Sequence, residues 1–115
     1  MRSIGNTYEE QACTALQREG LTVLDRNYHT RYGELDLVML DRDIVVFVEV
    51  RFRGSQHGGS AAESITASKR KKLILAARYW LAAHPRHARL SCRFDVVSYD
   101  GPAEVSWLRA AFDAE

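Results

Sequence analysis

A chain of 115 residues and 13.1 kDa has the length of one domain, here residues 1–115. Hydrophobic residues make up 46% and charged residues 27%, which excludes a wholly disordered chain. The net charge is only +1, but it is unevenly spread: residues 1–50 carry five basic and nine acidic residues, 51–93 carry ten basic and one acidic, and 94–115 carry one basic and five acidic. An acidic part beside a basic part suits a protein that holds cations next to a polyanion. No apolar run approaches the roughly 18 to 20 residues of a membrane span, so no membrane partner is expected. The segment Met1 to Gly20 lacks a signal-peptide pattern. Cys13 and Cys92 stand far apart and read as reduced thiols, which points to the cytoplasm.

In chain order, the apolar spacing of Tyr8, Ala12, Ala15 and Leu16 predicts a helix from Thr7 to Glu19, stopped by Gly20. Leu21 to Asn27 reads as a strand. Glu34 to Leu40 and Ile44 to Phe52 are rich in branched aliphatics and flank a polar turn at Asp41-Arg42-Asp43, which predicts a hairpin. Gly54 to Ser60 reads as a mobile loop. A helix follows from Ser68 to Ala83, with Leu73, Ala76, Ala77, Trp80 and Leu81 as its buried stripe, and with Pro85 just beyond its end. Lys69, Arg70, Lys71 and Lys72 crowd the start of that helix against the macrodipole, as an anion-binding surface would require. Arg93 to Tyr99 is a strand, Asp100-Gly101 a turn, and Glu104 to Leu108 a short last strand. Leu108, Ala111 and Phe112 form a loose apolar set in the tail. The order predicts an α/β fold, a mixed sheet with helices on its faces.

Chemistry concentrates in the hairpin. Strand side chains alternate, so Glu34 and Asp36 share a face, as do Glu49 and Arg51. If Arg42-Asp43 form a two-residue turn between paired Asp41 and Ile44, Asp36 lies opposite Glu49 and Glu34 opposite Arg51. A three-residue loop would put the carboxylates on opposite faces. The two-residue register is the expected one. Two acids meeting between apolar strands repel and need a partner. Either Arg51 and another cation neutralise them, or a divalent ion of the oxygen-seeking kind, Mg²⁺ or Mn²⁺, sits between them. Glu9 or Glu10 on the first helix offers a third carboxylate, and the basic helix offers a bed for a phosphate backbone. Metal-assisted phosphodiester hydrolysis would use such a set.

Other residues have plainer readings. Glu34 is expected to pair with a cation such as Arg51. Lys69 either points to the acids, contacts phosphate or lies on a solvated face. Asp95 is expected to make structural hydrogen bonds. Phe52 and Trp80 suit core packing and Tyr79 a helix edge better than they suit base stacking, and His57 reads as an exposed loop residue rather than a DNA contact. His29, His84 and His87 lack zinc-ligand spacing. No phosphate-cradling glycine motif is present.

Gly5-x-x-Tyr8-Glu9-x-x-Ala12, Asn27, Gly33-Glu34-Leu35-Asp36-Leu37-Val38, Val46-Phe47-Val48-Glu49-Val50-Arg51, Lys69 with Leu73 and Ala77, and Arg93-Phe94-Asp95-Val96-Val97 together resemble the YraN-like family of small bacterial proteins. That family resembles the PD-(D/E)xK restriction-endonuclease-like nucleases, including archaeal Holliday-junction resolvases. The resemblance implies a restriction-endonuclease-like fold and a divalent-metal-dependent endonuclease acting on branched or single-stranded DNA in recombination or DNA processing. It implies Glu9, Asp36 and Glu49 as metal ligands, with Mg²⁺ or Mn²⁺ as cofactor. Arg51 stands where the nuclease pattern has lysine, as it does in many YraN-like members. An arginine keeps its charge and cannot act as a general base. Metal-bound hydroxide then suffices, or Lys69 or Lys72 reaches the site, or catalysis is lost and binding remains. Asp36, Glu49, Arg51 and Lys69 are the expected catalytic set, and Arg51, Arg53, Lys69, Arg70 and Lys72 the expected nucleic-acid contacts. A domain this small suits a homodimer or a DNA-processing protein partner. The competing readings are a non-catalytic DNA-binding or adaptor protein, and an interaction module whose acids are bound in ion pairs.

Overall fold

The computed structural model describes residues 4–53, 63–101 and 104–114. In chain order the elements are α1 (Ile4–Arg18), β1 (Thr22–His29), β2 (Glu34–Asp41), β3 (Ile44–Phe52), α2 (Ala67–Ala83), α3 (Pro85–Ala88), β4 (Ser91–Gly101) and β5 (Glu104–Phe112). The five strands form one sheet in sequence order. Pairing is antiparallel except between β3 and β4, which run parallel. A parallel pair needs a long crossover, and α2 lies within it. The mixed sheet with flanking helices is the α/β fold expected from the sequence, compatible with a restriction-endonuclease-like arrangement.

Each face of the sheet has its own core. On the α2 side, Leu35, Val38, Val45, Phe47, Phe94, Val96 and Phe112 pack with Leu73, Ala76, Ala77 and Trp80. On the α1 side, Leu37, Met39, Val46, Val48, Val97 and Tyr99 pack with Ala12, Cys13 and Leu16. The central strands are apolar on both faces because both faces are covered. After α1 the chain turns through Gly20, whose φ of 99° is a conformation that side-chain-bearing residues rarely adopt.

The hairpin has the expected register. Asp41 pairs with Ile44, so Arg42-Asp43 form a two-residue turn, and pairing continues to Leu37 with Val48. Beyond that pair the two strands part. Residues 34 and 35 pair with β1 alone, and residues 49–52 pair with β4 alone. On β2 the alternation slips here too, since Leu35 and Val38 enter the same core although three positions apart. Across on β1 the matching irregularity is Asn27, at φ 50°. Asparagine is one of the few residues that visits this region readily.

Several expectations need correction. Asp100 and Gly101 belong to β4, and Gly101 pairs with Glu104, so the two residues are strand rather than turn. The last strand runs on to Phe112, and the supposedly loose tail contributes Phe112 to the α2-side core. Pro85 lies just beyond the end of α2, as expected, and there opens the short helix α3, its missing N–H being harmless at a first helical position. Phe52 is 54% exposed and stacks on Tyr8 rather than entering the core. The predicted loop at Gly54 to Ser60, with His57, lies outside the described residues.

Candidate functional site

The site lies where β2 and β3 part. Asp36 and Glu49 are both buried there, 8% and 7% exposed. The two carboxyl groups lie close enough that each bears on the ionisation of the other. The Val50 N–H donates to Asp36 Oδ2 at 2.9 Å, so this carboxylate replaces a main-chain partner just past the last paired residues. That bond fixes Asp36 at the mouth of the wedge. Glu49 leans toward the α2 side, where Lys69 Nζ stands 3.5 Å from its Oε2. Arg51 Nη1 stands 3.9 Å from the same oxygen.

Lys69 is placed by its helix. Thr66 caps α2 by accepting from the Lys69 N–H at 3.1 Å, which makes Lys69 the third residue of the helix. A glutamate is the usual choice at this position because it favours the macrodipole and can complete a capping box. A lysine here gives up that local gain and directs its ammonium to a buried carboxylate.

Glu9 approaches from the opposite face. The Tyr8 ring lies between Phe52 and Tyr99, with centroids 5.0 and 4.7 Å away, which pins the start of α1 over the ends of β3 and β4. Glu9 then lies near enough to feel the charges of Asp36, Glu34 and Arg26. Glu10 lies on the outer side of α1 with Thr7, Gln11 and Thr14. Of the two helix acids, Glu9 is the one turned to the site.

Burial raises all three carboxyl groups. Desolvation, then the nearby Asp36 and Glu34 charges, lift Glu9 to about 7. Desolvation and then the Asp36 charge lift Glu49 to about 8 against the opposing pull of Lys69 and Arg51. Asp36 is likewise raised, chiefly by burial. Two cations near Glu49 do not offset the cost of gathering these acids, so the pair retains a proton near neutral pH. Among the described residues no three His, Cys, Asp or Glu side chains stand together as a finished metal cage. The acids come as a close pair with a third electrostatically coupled to it.

Not every expected residue reaches the site. Glu34 pairs with His29 Nδ1 at 3.0 Å instead of Arg51, because the strands have parted before its level. Arg53 turns inward to Asp100, 3.4 Å away, with its side chain only 6% exposed. Arg70 points to the far side of α2, where its Nε donates to the Ile65 carbonyl and its guanidinium lies 5.4 Å from the Phe112 ring. Lys72 is exposed and packs over Gly33, whose absent side chain allows the approach: a Cβ there would sit 3.2 Å from Lys72 Cβ. Lys69 is therefore the α2 lysine beside the acids. Arg51 Nε is buried with no hydrogen-bond partner among the described residues.

Asp95 has the structural role expected of it. It is fully buried and accepts from Arg93, Trp107 Nε1 and the Ala110 N–H, the last at 3.0 Å. The role of Asn27 in the slipped alternation, and a contact between Tyr32 and Tyr79, were not read from sequence. The first had a signal, an asparagine inside a strand opposite an acid. The second had none, since the two rings are 47 positions apart.

No helix among the described residues is long and apolar enough to cross a membrane. Residues 8–99 match a family model described as the uncharacterised protein family UPF0102. A UPF0102 protein of Pseudomonas aeruginosa (strain LESB58) is 50% identical over 118 aligned residues, covering 98% of this chain and 94% of the relative. A counterpart from Nitrosomonas europaea is 48% identical over 111 residues, covering 95% and 92%. One from Stutzerimonas stutzeri is 47% identical over 116 residues, covering 98% and 97%. The chain therefore belongs to the uncharacterised protein family UPF0102, the family it resembles under the name YraN-like.

Proposed function

We propose that this protein is a divalent-metal-dependent nuclease that hydrolyses phosphodiesters in DNA. The observation that carries the reading is the buried Asp36–Glu49 pair, flanked by Lys69 and Arg51 and approached by Glu9. Acids held together at the cost of retaining a proton form an oxygen-rich site that a hard dication fits better than a proton does. Asp36, Glu49 and Glu9 would hold Mg²⁺ or Mn²⁺. Such an ion, when bound, polarises the phosphodiester and makes water a better nucleophile.

The remaining residues have separate tasks. Arg51 keeps its charge and stabilises negative charge on the phosphate, with its buried Nε as a ready donor. Lys69 sits where it can both neutralise a phosphate oxygen and exchange a proton, which the arginine cannot do. Lys69 thus takes up the part that a lysine at position 51 would otherwise have. His29 Nδ1 lies 3.0 Å from Glu34 at the mouth and holds that carboxylate beside the turn.

The test is cleavage of labelled branched, single-stranded and duplex DNA in Mn²⁺. Wild-type protein should cut at least one of them. Glu49→Ala and Asp36→Ala should each lose at least a hundredfold in rate. Absence of any metal-dependent cut by wild type would overturn the reading. Arg51 in the lysine position favours a second reading, a binder without catalysis, and salt-sensitive DNA binding without cleavage would support it.

A further inference from the structure

The turn at residues 30–33 packs onto α2 beside the acids. It is built by Thr30, whose hydroxyl accepts from the Tyr32 and Gly33 N–H groups and donates to the Gly33 carbonyl. The turn directs Tyr32 outward against Tyr79 of α2, with ring centroids 5.5 Å apart and planes tilted by 32°. Despite this contact the rings stay 40% and 45% exposed. Arg31 lies 6.0 Å from the Tyr32 ring. Beside them an open depression of about 460 Å³ is bounded by the turn, the His29–Glu34 pair, Lys69 and Lys72.

This surface differs from ordinary turn packing in two ways. Rings used only to anchor the turn would be buried by the contact, and these keep nearly half their surface in water. Cations also line the depression, and one of them, Lys69, is the residue that touches Glu49. Aromatic faces for unstacked bases beside lysines for the backbone are what a single strand requires. Paired bases are stacked inside a duplex and have no faces to offer.

We infer that Tyr32 and Tyr79, with Arg31 and Lys72, form a stacking platform for single-stranded nucleic acid leading into the Asp36–Glu49 site. The inference rests on the nuclease reading only for the direction in which the strand is led. Along α2 the platform runs from Lys69 to Tyr79, a distance of roughly 15 Å at the helical rise. Lys69 at one end would hold the phosphate next to the acids. Tyr32 and Tyr79 at the other would hold unpaired bases.

The experiment is fluorescence anisotropy with a labelled 20-nucleotide oligothymidylate, a hairpin duplex of the same length and an oligouridylate, in EDTA so that nothing is cut. Wild type should prefer the single strands to the duplex. Tyr32→Leu and Tyr79→Leu should weaken single-strand binding roughly tenfold or more, while Tyr79→Phe, which keeps the ring, stays near wild type. Lys72→Ala should weaken single and double strands alike. Circular dichroism melts establish that each variant is folded. The proposal is overturned if wild type favours the duplex, or if folded Tyr32→Leu and Tyr79→Leu both bind as wild type does. Metal-dependent cleavage by Tyr79→Leu with unaltered strand preference would remove the platform and leave the nuclease reading intact. Tyrosine-dependent binding without cleavage would do the reverse. Preference between the thymidylate and the uridylate decides whether the strand is DNA or RNA.

Discussion

Glu49 shows how much a single side chain can reveal. It is buried beside another acid, and its pKa is raised to about 8. A carboxyl raised in the folded state binds more protons than it does in the unfolded chain. Its contribution to stability is therefore full below about 4.5 and is lost as pH rises toward about 8. Glu9 acts in the same sense up to about 7. The metal-free protein should accordingly lose thermal stability between pH 5 and 8.5, while Glu49→Gln, which cannot ionise, should show a flatter profile and melt several degrees above wild type at pH 8. A dication competes with the same protons, so the melting shift given by Mn²⁺ should grow with pH over that window in wild type and disappear in Glu49→Gln. A pH-independent Mn²⁺ shift would place the ion elsewhere. That Asp36 and Glu49 meet was legible in the sequence, because strand periodicity and a two-residue turn leave one register. The partner of Glu34 was not legible. It depends on where the two strands stop pairing, and Asp36 decides this by accepting a main-chain N–H.

Among the elements, β4 and β5 show the same device used for structure. Asp95 accepts from the Ala110 N–H, and Ala110 sits at φ 52°, a conformation costly for alanine. The pairing register shifts between Phe94 and Val96 at this point. The carboxylate thus holds a strained strand in place while also binding Arg93 and Trp107. Asp95→Ala should cost about 3–5 kcal/mol in urea unfolding, since it leaves the Arg93 charge and the Trp107 N–H short of their buried partner. A cost below about 1 kcal/mol would show that the network adds little. The role of Asp95 was readable from a lone acid in an apolar strand. The full length of β5 was not, because its second half is held by that acid rather than by a run of β-formers. The long helix was readable in position and stripe, since Leu73, Ala76, Ala77 and Trp80 repeat at the helical period and are buried as expected. Leu81 is the exception, being only partly covered.

At the scale of the whole molecule, the basic segment from residue 51 to residue 93 does not form one cationic patch. Arg53 and Arg70 are turned toward internal partners, Arg93 serves Asp41 and Asp95, and Lys69 and Arg51 face the acids. Segment charge cannot foresee this division, which depends on which helix face or strand end meets a carboxylate. For DNA binding, Lys72→Ala should lower the salt dependence of log K by about one unit of slope, while Arg53→Ala should leave it unchanged and instead reduce stability.

The parting of β2 from β3 also has a mechanical consequence. The sheet behaves as two plates, β1–β2 and β3–β4–β5, joined along a seam of five residue pairs from Leu37–Val48 to Asp41–Ile44. Asp36 belongs to one plate and Glu49 to the other, at the open end of the seam. A small rocking of the plates changes the gap between the two carboxylates most, and an ion bridging them would act as a clasp. Deuterium uptake at the Leu37 and Val48 amides should then slow when Mn²⁺ is added, with little change near Asp41 and Ile44, where the turn already locks the plates together.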